Sequence, residues 1–131
     1  MLVNLRWLFY FYAMVSLIVG FGFLLAPDVA ATAYGGKLEP TATTLARFLG
    51  AAVLPLAWAS WIAARTVGSA LKLALVRAIA LTELTRFVLT YVAVSAGVIS
   101  TTGAIPNYVL SAIFTIAFGY YGWVKTAAAT T

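Results

Sequence analysis

Four long apolar runs, separated by short polar or glycine- and proline-containing stretches, dominate the sequence. A helix needs about 20 apolar residues to cross the hydrocarbon core of a bilayer. The runs therefore predict membrane spans at about residues 5–26, 43–64, 71–98 and 106–124. Because one short chain contains all four, we expect a single all-α domain over residues 1–131, an integral membrane four-helix bundle.

The loop at residues 27–42 is the longest predicted connection, and its sequence favours a short helix on the outer membrane surface. Pro27 presets the backbone for a first helical turn, and Asp28 suits the positive end of the helix dipole. Gly35 and Gly36 suit the end of such a helix. We therefore expect a surface helix within residues 27–36.

Composition supports a lipid environment. Hydrophobic residues make up 64% of the chain and charged residues 8%, with a mean hydropathy of +1.04. A soluble domain carries about 25% charged residues to solvate its surface. The formal net charge is +5, but the basic residues are scattered and form no cluster, so we do not expect a nucleic-acid partner.

The distribution of lysine and arginine predicts the orientation of the spans. Short cytoplasmic loops are richer in these residues than loops on the opposite side. Five basic residues lie at the start of the first span, around the middle loop or after the last span: Arg6, Arg65, Lys72, Arg77 and Lys125. The other side has Lys37, with Arg47 just inside the second span. Both termini should therefore be cytoplasmic.

Tryptophan and tyrosine concentrate near the same predicted ends. The proposed interfacial anchors are Trp7, Trp58, Trp61, Tyr120, Tyr121 and Trp123. Such rings prefer the membrane interface, where an apolar body and a polar tip are both satisfied. The alternative interpretation is a pigment or quinone site, and the interfacial belt is the preferred one.

Two charged residues lie deep inside the third predicted span. Glu83 and Arg86 are three residues apart, so they share a helix face and can pair. Arg47 enters the second span from the outer side and can approach the same pair. The cluster Arg47, Glu83 and Arg86 has two interpretations, a structural ion pair or a site for a lipid head group, a quinone or an anionic substrate.

Small residues recur at helical spacing and predict close helix packing. The candidate packing positions are Ser16, Gly20, Gly50, Ala51, Ser111, Thr115 and Gly119. They fit contacts within one bundle, and they also fit an interface between copies of the chain. The sequence leaves both alternatives open.

Reactive chemistry is scarce in this sequence. There is no cysteine or histidine, and only three carboxylates occur. Glu83 has no second acid near it for paired acid–base catalysis. We expect no metal site, no catalytic residues and no enzyme activity, and no cofactor beyond a bound lipid or quinone.

Several short stretches resemble a family of small proteins. Residues 24–28 (LLAPD) end the first span, residues 45–52 (LARFLGAA) open the second, and residues 76–78 (VRA) lie in the third. With Arg65 ending the second span, this order resembles the DoxX-like group of small bacterial four-span proteins. The resemblance implies a four-helix membrane fold in the bacterial cytoplasmic membrane. Many of those proteins carry a histidine in the third span, where this chain has Glu83 or Thr85 nearby, so no histidine-based role is implied.

These features predict a non-enzymatic accessory or scaffold subunit of a larger membrane complex. Its partners would be the lipid bilayer and other membrane subunits or a second copy of itself. The first alternative is a carrier of a lipophilic or anionic ligand, such as a lipid or quinone, at the arginine–glutamate cluster. The second alternative is a small solute transporter.

Overall fold

The computed structural model describes residues 4–33, 37, 39–66 and 70–125, without the side chain of Thr41. All regular structure within these residues is helical. The elements are α1 (Leu5–Leu25), α2 (Pro27–Ala33), α3 (Pro40–Arg65), α4 (Ala70–Ser95), α5 (Thr101–Gly119) and a π-helical segment (Tyr120–Val124). They form two compact helical units, the first ending at Arg65 and the second beginning at Thr66.

Three of the described helices are long and apolar enough to cross a membrane. They are Leu5–Leu25, Ala42–Arg65 and the continuous stretch Thr101–Val124. These three helices support the prediction of a membrane protein. Helix α4 has 26 residues and a length of about 39 Å at 1.5 Å per residue. It contains four charged residues and is not one of the three, so its crossing stays a prediction.

The first unit turns at Ala26, between α1 and α2. Ala26 leaves the helical conformation (φ −136°, ψ 60°), and its N–H still donates to the Gly22 carbonyl at 2.9 Å. Pro27 then begins α2, because a proline disfavours helical geometry in the residue before it. The seven-residue α2 lies within the stretch where a short helix was predicted. Its location on the outer membrane surface stays a prediction. The predicted end at Gly35 and Gly36 lies outside the described residues.

Helices α1 and α3 pack in antiparallel directions at two glycines. A Cβ atom built on Gly50 would lie 2.6 Å from the Gly20 carbonyl oxygen and 2.6 Å from the Leu24 nitrogen. Near the other end of the pair, the Tyr10 and Trp61 rings make an edge contact with centroids 4.9 Å apart. The backbones of α1 and α3 therefore meet directly at Gly20 and Gly50, where neither residue has a side chain.

Helices α4 and α5 form the second unit, and α5 starts earlier than the sequence pattern indicated. The predicted span begins near Pro106, whereas α5 begins at Thr101. The Ser100 hydroxyl caps the helix by accepting a hydrogen bond from the Gly103 N–H at 3.1 Å. Pro106 lies within the second helical turn. The helix accommodates it there, so the proline does not mark the boundary.

Helix α4 ends three residues before the predicted limit at residue 98. Gly97 has a positive φ of 71°, a conformation that glycine adopts without steric penalty. The Val98 N–H donates to the Ala93 carbonyl, and the Gly97 N–H donates to the Val94 carbonyl. This is the hydrogen-bond pattern of a glycine-terminated helix, and it places the turn between α4 and α5.

The π-helical segment at the end of α5 contacts α4. The Arg77 Nε donates to the Gly122 carbonyl at 2.9 Å, and its guanidinium lies 5.7 Å from the centre of the Trp123 ring. A Cβ atom on Gly122 would lie 3.1 Å from Arg77 Cγ. Glycine at position 122 therefore leaves room for the arginine to reach the backbone.

Candidate functional site

Five polar side chains connect α4 and α5 inside the second unit. We call them the α4–α5 polar cluster: Glu83, Arg86, Thr90, Asn107 and Ser111. The α4 and α5 members are spaced at three or four residues, which places them along one face of each helix. The two helices are antiparallel. Thr90 follows Arg86 by four residues on α4, and its partner Asn107 precedes Ser111 by four residues on α5.

The acidic end of the cluster is an ion pair. Glu83 Oε1 lies 3.4 Å from Arg86 Nη1, and the Glu83 side chain is 0% exposed while that of Arg86 is 33% exposed. Arg86 Nε also donates to the Ser111 hydroxyl of α5 at 3.3 Å. Arg86 thus connects a fully buried carboxylate on its own helix to a fully buried hydroxyl on the neighbouring helix.

The other end of the cluster is neutral. The Thr90 hydroxyl donates to the Arg86 carbonyl at 2.8 Å and accepts a hydrogen bond from Asn107 Nδ2. Both side chains are buried. A buried amide without a partner is unfavourable in an apolar environment, so this contact favours one register of α4 against α5.

Replacing Thr90 with valine should lower the free energy of unfolding by about 1 kcal/mol, because Asn107 loses its partner on α4. Thr85→Val is the matched control. Thr85 is exposed on the same helix and bonds only within it, donating to the Leu81 carbonyl at 2.9 Å. Unfolding in mixed micelles of a mild detergent and dodecyl sulfate, followed by circular dichroism, measures both variants. Equal shifts for the two variants would show that the interhelical bond contributes nothing.

Arg47, the third residue of the predicted charged cluster, belongs to the first unit. It lies on α3 with an exposed side chain. The structure brings Glu83 and Arg86 together within the second unit. The participation of Arg47 in their cluster stays a prediction.

Four of the seven predicted packing positions are buried. Gly20, Gly50 and Ser16 are buried in the first unit, and Ser111 is fully buried in the second. Thr115 is half-buried. Ala51 is exposed, and a Cβ atom on Gly119 would meet nothing within 4 Å. Neither of the last two positions lies at a close helix contact within its own unit, and a role for them in other helix contacts stays a prediction.

Three of the six predicted aromatic anchors, Trp61, Tyr121 and Trp123, lie near a basic side chain. In the first unit, the Arg65 guanidinium lies 5.2 Å from the Trp61 ring centre, and Arg6 lies 5.8 Å from that of Tyr10. Trp7 and Trp58 are 66% and 68% exposed. In the second unit, Lys125 Nζ lies 5.1 Å from the Tyr121 ring centre, next to Tyr120 and Trp123. This grouping of cations and rings suits a membrane interface.

Sequence reasoning missed Asn107 and the π-helical segment. The signal for Asn107 was present, because Asn107 and Ser111 are four residues apart and so share a helix face. The π-helical segment carries no comparable signal, since its Gly122 carbonyl is engaged by Arg77, which lies 45 positions away.

The polar cluster is suited to holding helices together. Its arginine is engaged by a carboxylate and a hydroxyl, and its amide is engaged by a threonine. Among the described residues, no three histidine, cysteine, aspartate or glutamate side chains form a group that could hold a metal ion. A bound lipid or quinone stays a prediction.

Comparison with protein-family models, with curated proteins and with solved structures finds no significant match to this chain. The resemblance to DoxX-like proteins therefore stays a prediction, based on the short stretches described above.

Proposed function

We propose that this protein is a non-enzymatic integral membrane subunit that packs against other membrane proteins in a larger complex. The observation that carries the proposal is the position of Arg86, between Glu83 on α4 and Ser111 on α5. The carboxylate best placed for proton transfer or ligand binding is instead paired with Arg86, and Arg86 in turn bonds to the neighbouring helix. This arrangement favours the structural interpretation of the charged pair over a carrier or a transporter.

The outer surfaces of the helices also support a packing role. Large apolar side chains are exposed on each long helix, among them Ile18, Phe48, Leu89 and Ile116. Such surfaces suit contact with lipid and with the helices of neighbouring subunits. They are spread along the full length of the helices, which fits a protein embedded among other membrane components.

We further propose that α4 is a fourth span and that the four long helices form one bundle in a bacterial cytoplasmic membrane, with both termini in the cytoplasm. Support comes from the length of α4 and from the basic residues at helix ends on the predicted cytoplasmic side. Arg77 and Lys125 lie near aromatic rings at one end of the second unit. In the first unit, Arg6 and Arg65 likewise lie near aromatic rings.

Two matched cysteine variants test this topology. Thr66 and Thr101 are both exposed and flank α4, and the natural chain has no cysteine. In intact cells, a membrane-impermeant maleimide should label Thr101→Cys and leave Thr66→Cys unlabelled until the membrane is opened. Labelling of both from the same side would show that α4 does not cross.

Native electrophoresis after gentle solubilisation tests the proposed function. We expect the chain to migrate in a band that contains a second membrane protein in constant ratio, because its apolar surface is satisfied by neighbouring subunits. The same sample dissociated in dodecyl sulfate provides the monomer reference. Migration as a free monomer would contradict the proposal, and a stoichiometric small molecule in native mass spectrometry would instead favour the carrier.

A further inference from the structure

The first unit holds two arginines over neighbouring aromatic rings at one end of its helix pair. The Arg6 guanidinium lies 5.8 Å from the centre of the Tyr10 ring, and the Arg65 guanidinium lies 5.2 Å from that of Trp61. The two rings make an edge contact with their centroids 4.9 Å apart. Both guanidiniums also interact with the Tyr10 hydroxyl. The two cations therefore converge on one small area, although they belong to different helices.

The way in which the arginines are held leaves hydrogen-bond donors available. A guanidinium over a ring uses its flat face for that contact, while its N–H donors point outward in the plane of the group. One hydroxyl oxygen can accept few of these donors. The free edge matches the oxygens of a phosphate and can bind them in pairs. The rings thus position two sets of donors before an anion arrives.

The acidic residues of the first unit lie at the opposite end of the helix pair. Arg6 is the second residue of α1, and Arg65 is the last residue of α3. Asp28 follows α1, and Glu39 precedes α3. Because α1 has 21 residues, about 31 Å separates its two ends. Neither acidic side chain can reach the arginines across that length.

The second unit carries no surplus of negative side chains, whatever its position. Its acidic side chain is Glu83, which is already paired with Arg86. Its basic side chains outnumber that carboxylate: Lys72, Arg77, Arg86 and Lys125. The negative charge that balances Arg6 and Arg65 therefore has to come from a bound anion.

In a bilayer, the two arginines lie at the level of the lipid head groups. Both helices are candidate spans, and the ends of these spans at the arginines are Leu5 and Arg65. The ends of spans this long reach the polar region of the membrane. The helix dipoles do not provide the attraction for an anion, because the N-terminus of α1 lies beside the C-terminus of α3 and their fields oppose each other. The guanidinium charges provide it.

We propose that Arg6 and Arg65 together bind the phosphate of one anionic phospholipid head group. Tyr10 and Trp61 are the positioning residues, since they hold the two guanidiniums. Phosphatidylglycerol has the matching chemistry, because it carries a negative charge and no cation of its own. Phosphatidylcholine carries an ammonium group that two arginines repel. The inference depends on the membrane location of the protein and is independent of the proposed packing against other subunits.

Native mass spectrometry of the protein released from mixed micelles tests the site. The micelles contain equal amounts of phosphatidylglycerol and phosphatidylcholine, and the ratio of the two lipids on the singly lipidated protein is the readout. We expect about a tenfold preference for phosphatidylglycerol. Arg6→Gln and Arg65→Gln should each reduce the preference to about twofold. Arg47→Gln is the matched control, because it removes the same charge from the other end of α3, and it should leave the preference unchanged.

The double variant Arg6→Gln/Arg65→Gln shows whether both arginines serve one lipid. If they do, the double variant loses little more preference than either single variant, because each change weakens the same bound head group. Arg65→Lys keeps the charge without the paired donors and should retain an intermediate preference. Single effects that multiply in the double variant would assign the arginines to separate lipids and overturn the proposal. Equal retention of both lipids by the wild-type protein, or an equal loss in Arg47→Gln, would also overturn it.

Two soluble competitors distinguish a lipid from a free phosphate. Inorganic phosphate and glycerol phosphate at millimolar concentration should displace little phosphatidylglycerol, since they lack the acyl chains that hold the lipid beside the helices. Full displacement by either would assign the site to a soluble phosphate and overturn the lipid proposal.

Native electrophoresis reports separately on the proposed function. A free monomer that keeps its lipid preference would refute the packing role and leave the lipid site standing. A stable complex without the lipid preference would identify the lipid site as the error.

Discussion

Replacing Arg86 with leucine is expected to lower the free energy of unfolding by about 3 kcal/mol, because it leaves a buried carboxylate without its cationic partner. Glu83 is 0% exposed, whereas a third of the Arg86 side chain is exposed. Glu83→Gln should therefore cost less than Arg86→Leu, since the partly exposed guanidinium depends less on its partner than the fully buried carboxylate does. Detergent unfolding followed by tryptophan fluorescence measures both changes.

The double variant distinguishes the effect of losing the ion pair from a general disruption of α4. Combining Arg86→Leu with Glu83→Gln removes both charges and should recover more than half of the stability lost in Arg86→Leu. Arg47→Leu is the matched control, because it removes an exposed arginine on α3 and is expected to change stability by less than about 0.5 kcal/mol. Additive losses in the double variant would contradict the importance of the pair.

Replacing Gly50 with alanine is expected to destabilise the α1–α3 contact by about 2 kcal/mol. The new methyl group would lie 2.6 Å from the Gly20 carbonyl oxygen and 2.6 Å from the Leu24 nitrogen. Both are backbone atoms of α1, which move only if the whole helix moves. The same unfolding assay measures the loss, and an unchanged midpoint would show that α1 and α3 do not touch at this point.

Gly119 provides the control for this substitution. A Cβ atom there would meet nothing within 4 Å, so Gly119→Ala should be neutral or slightly stabilising because alanine favours the helix. Gly20→Ala should have an intermediate effect. Its methyl group would lie 2.8 Å from a methyl carbon of Leu54, a side chain that can rotate away, and 3.2 Å from the Gly50 carbonyl oxygen.

The helices themselves follow closely from the sequence. The first predicted span at 5–26 corresponds to α1 at Leu5–Leu25, because Pro27 and Asp28 interrupt the apolar run. The ion pair could also be predicted from the sequence, since Glu83 and Arg86 are three residues apart and helical geometry alone puts them on one face.

Which faces of the helices meet could not be predicted in the same way. Helices that are apolar on all sides have no polar face to mark the outside. Small residues therefore indicate where helices can approach, without distinguishing Gly50, which is buried, from its neighbour Ala51, which is exposed. The π-helical segment could not be predicted from the sequence either, because it coincides with a contact between Arg77 and Gly122 that depends on the packing of two helices.

The spacing of Glu83 and Arg86 has a consequence for the order of events during biosynthesis. In the proposed topology, α4 leaves the ribosome before α5 exists, so no other helix of its unit can neutralise its charges. Because the pair is contained within α4, the middle of that helix enters the bilayer with no net charge. Ser111 and Asn107 then join a helix that is already inserted, as in two-stage assembly, where individually stable spans form first and associate afterwards.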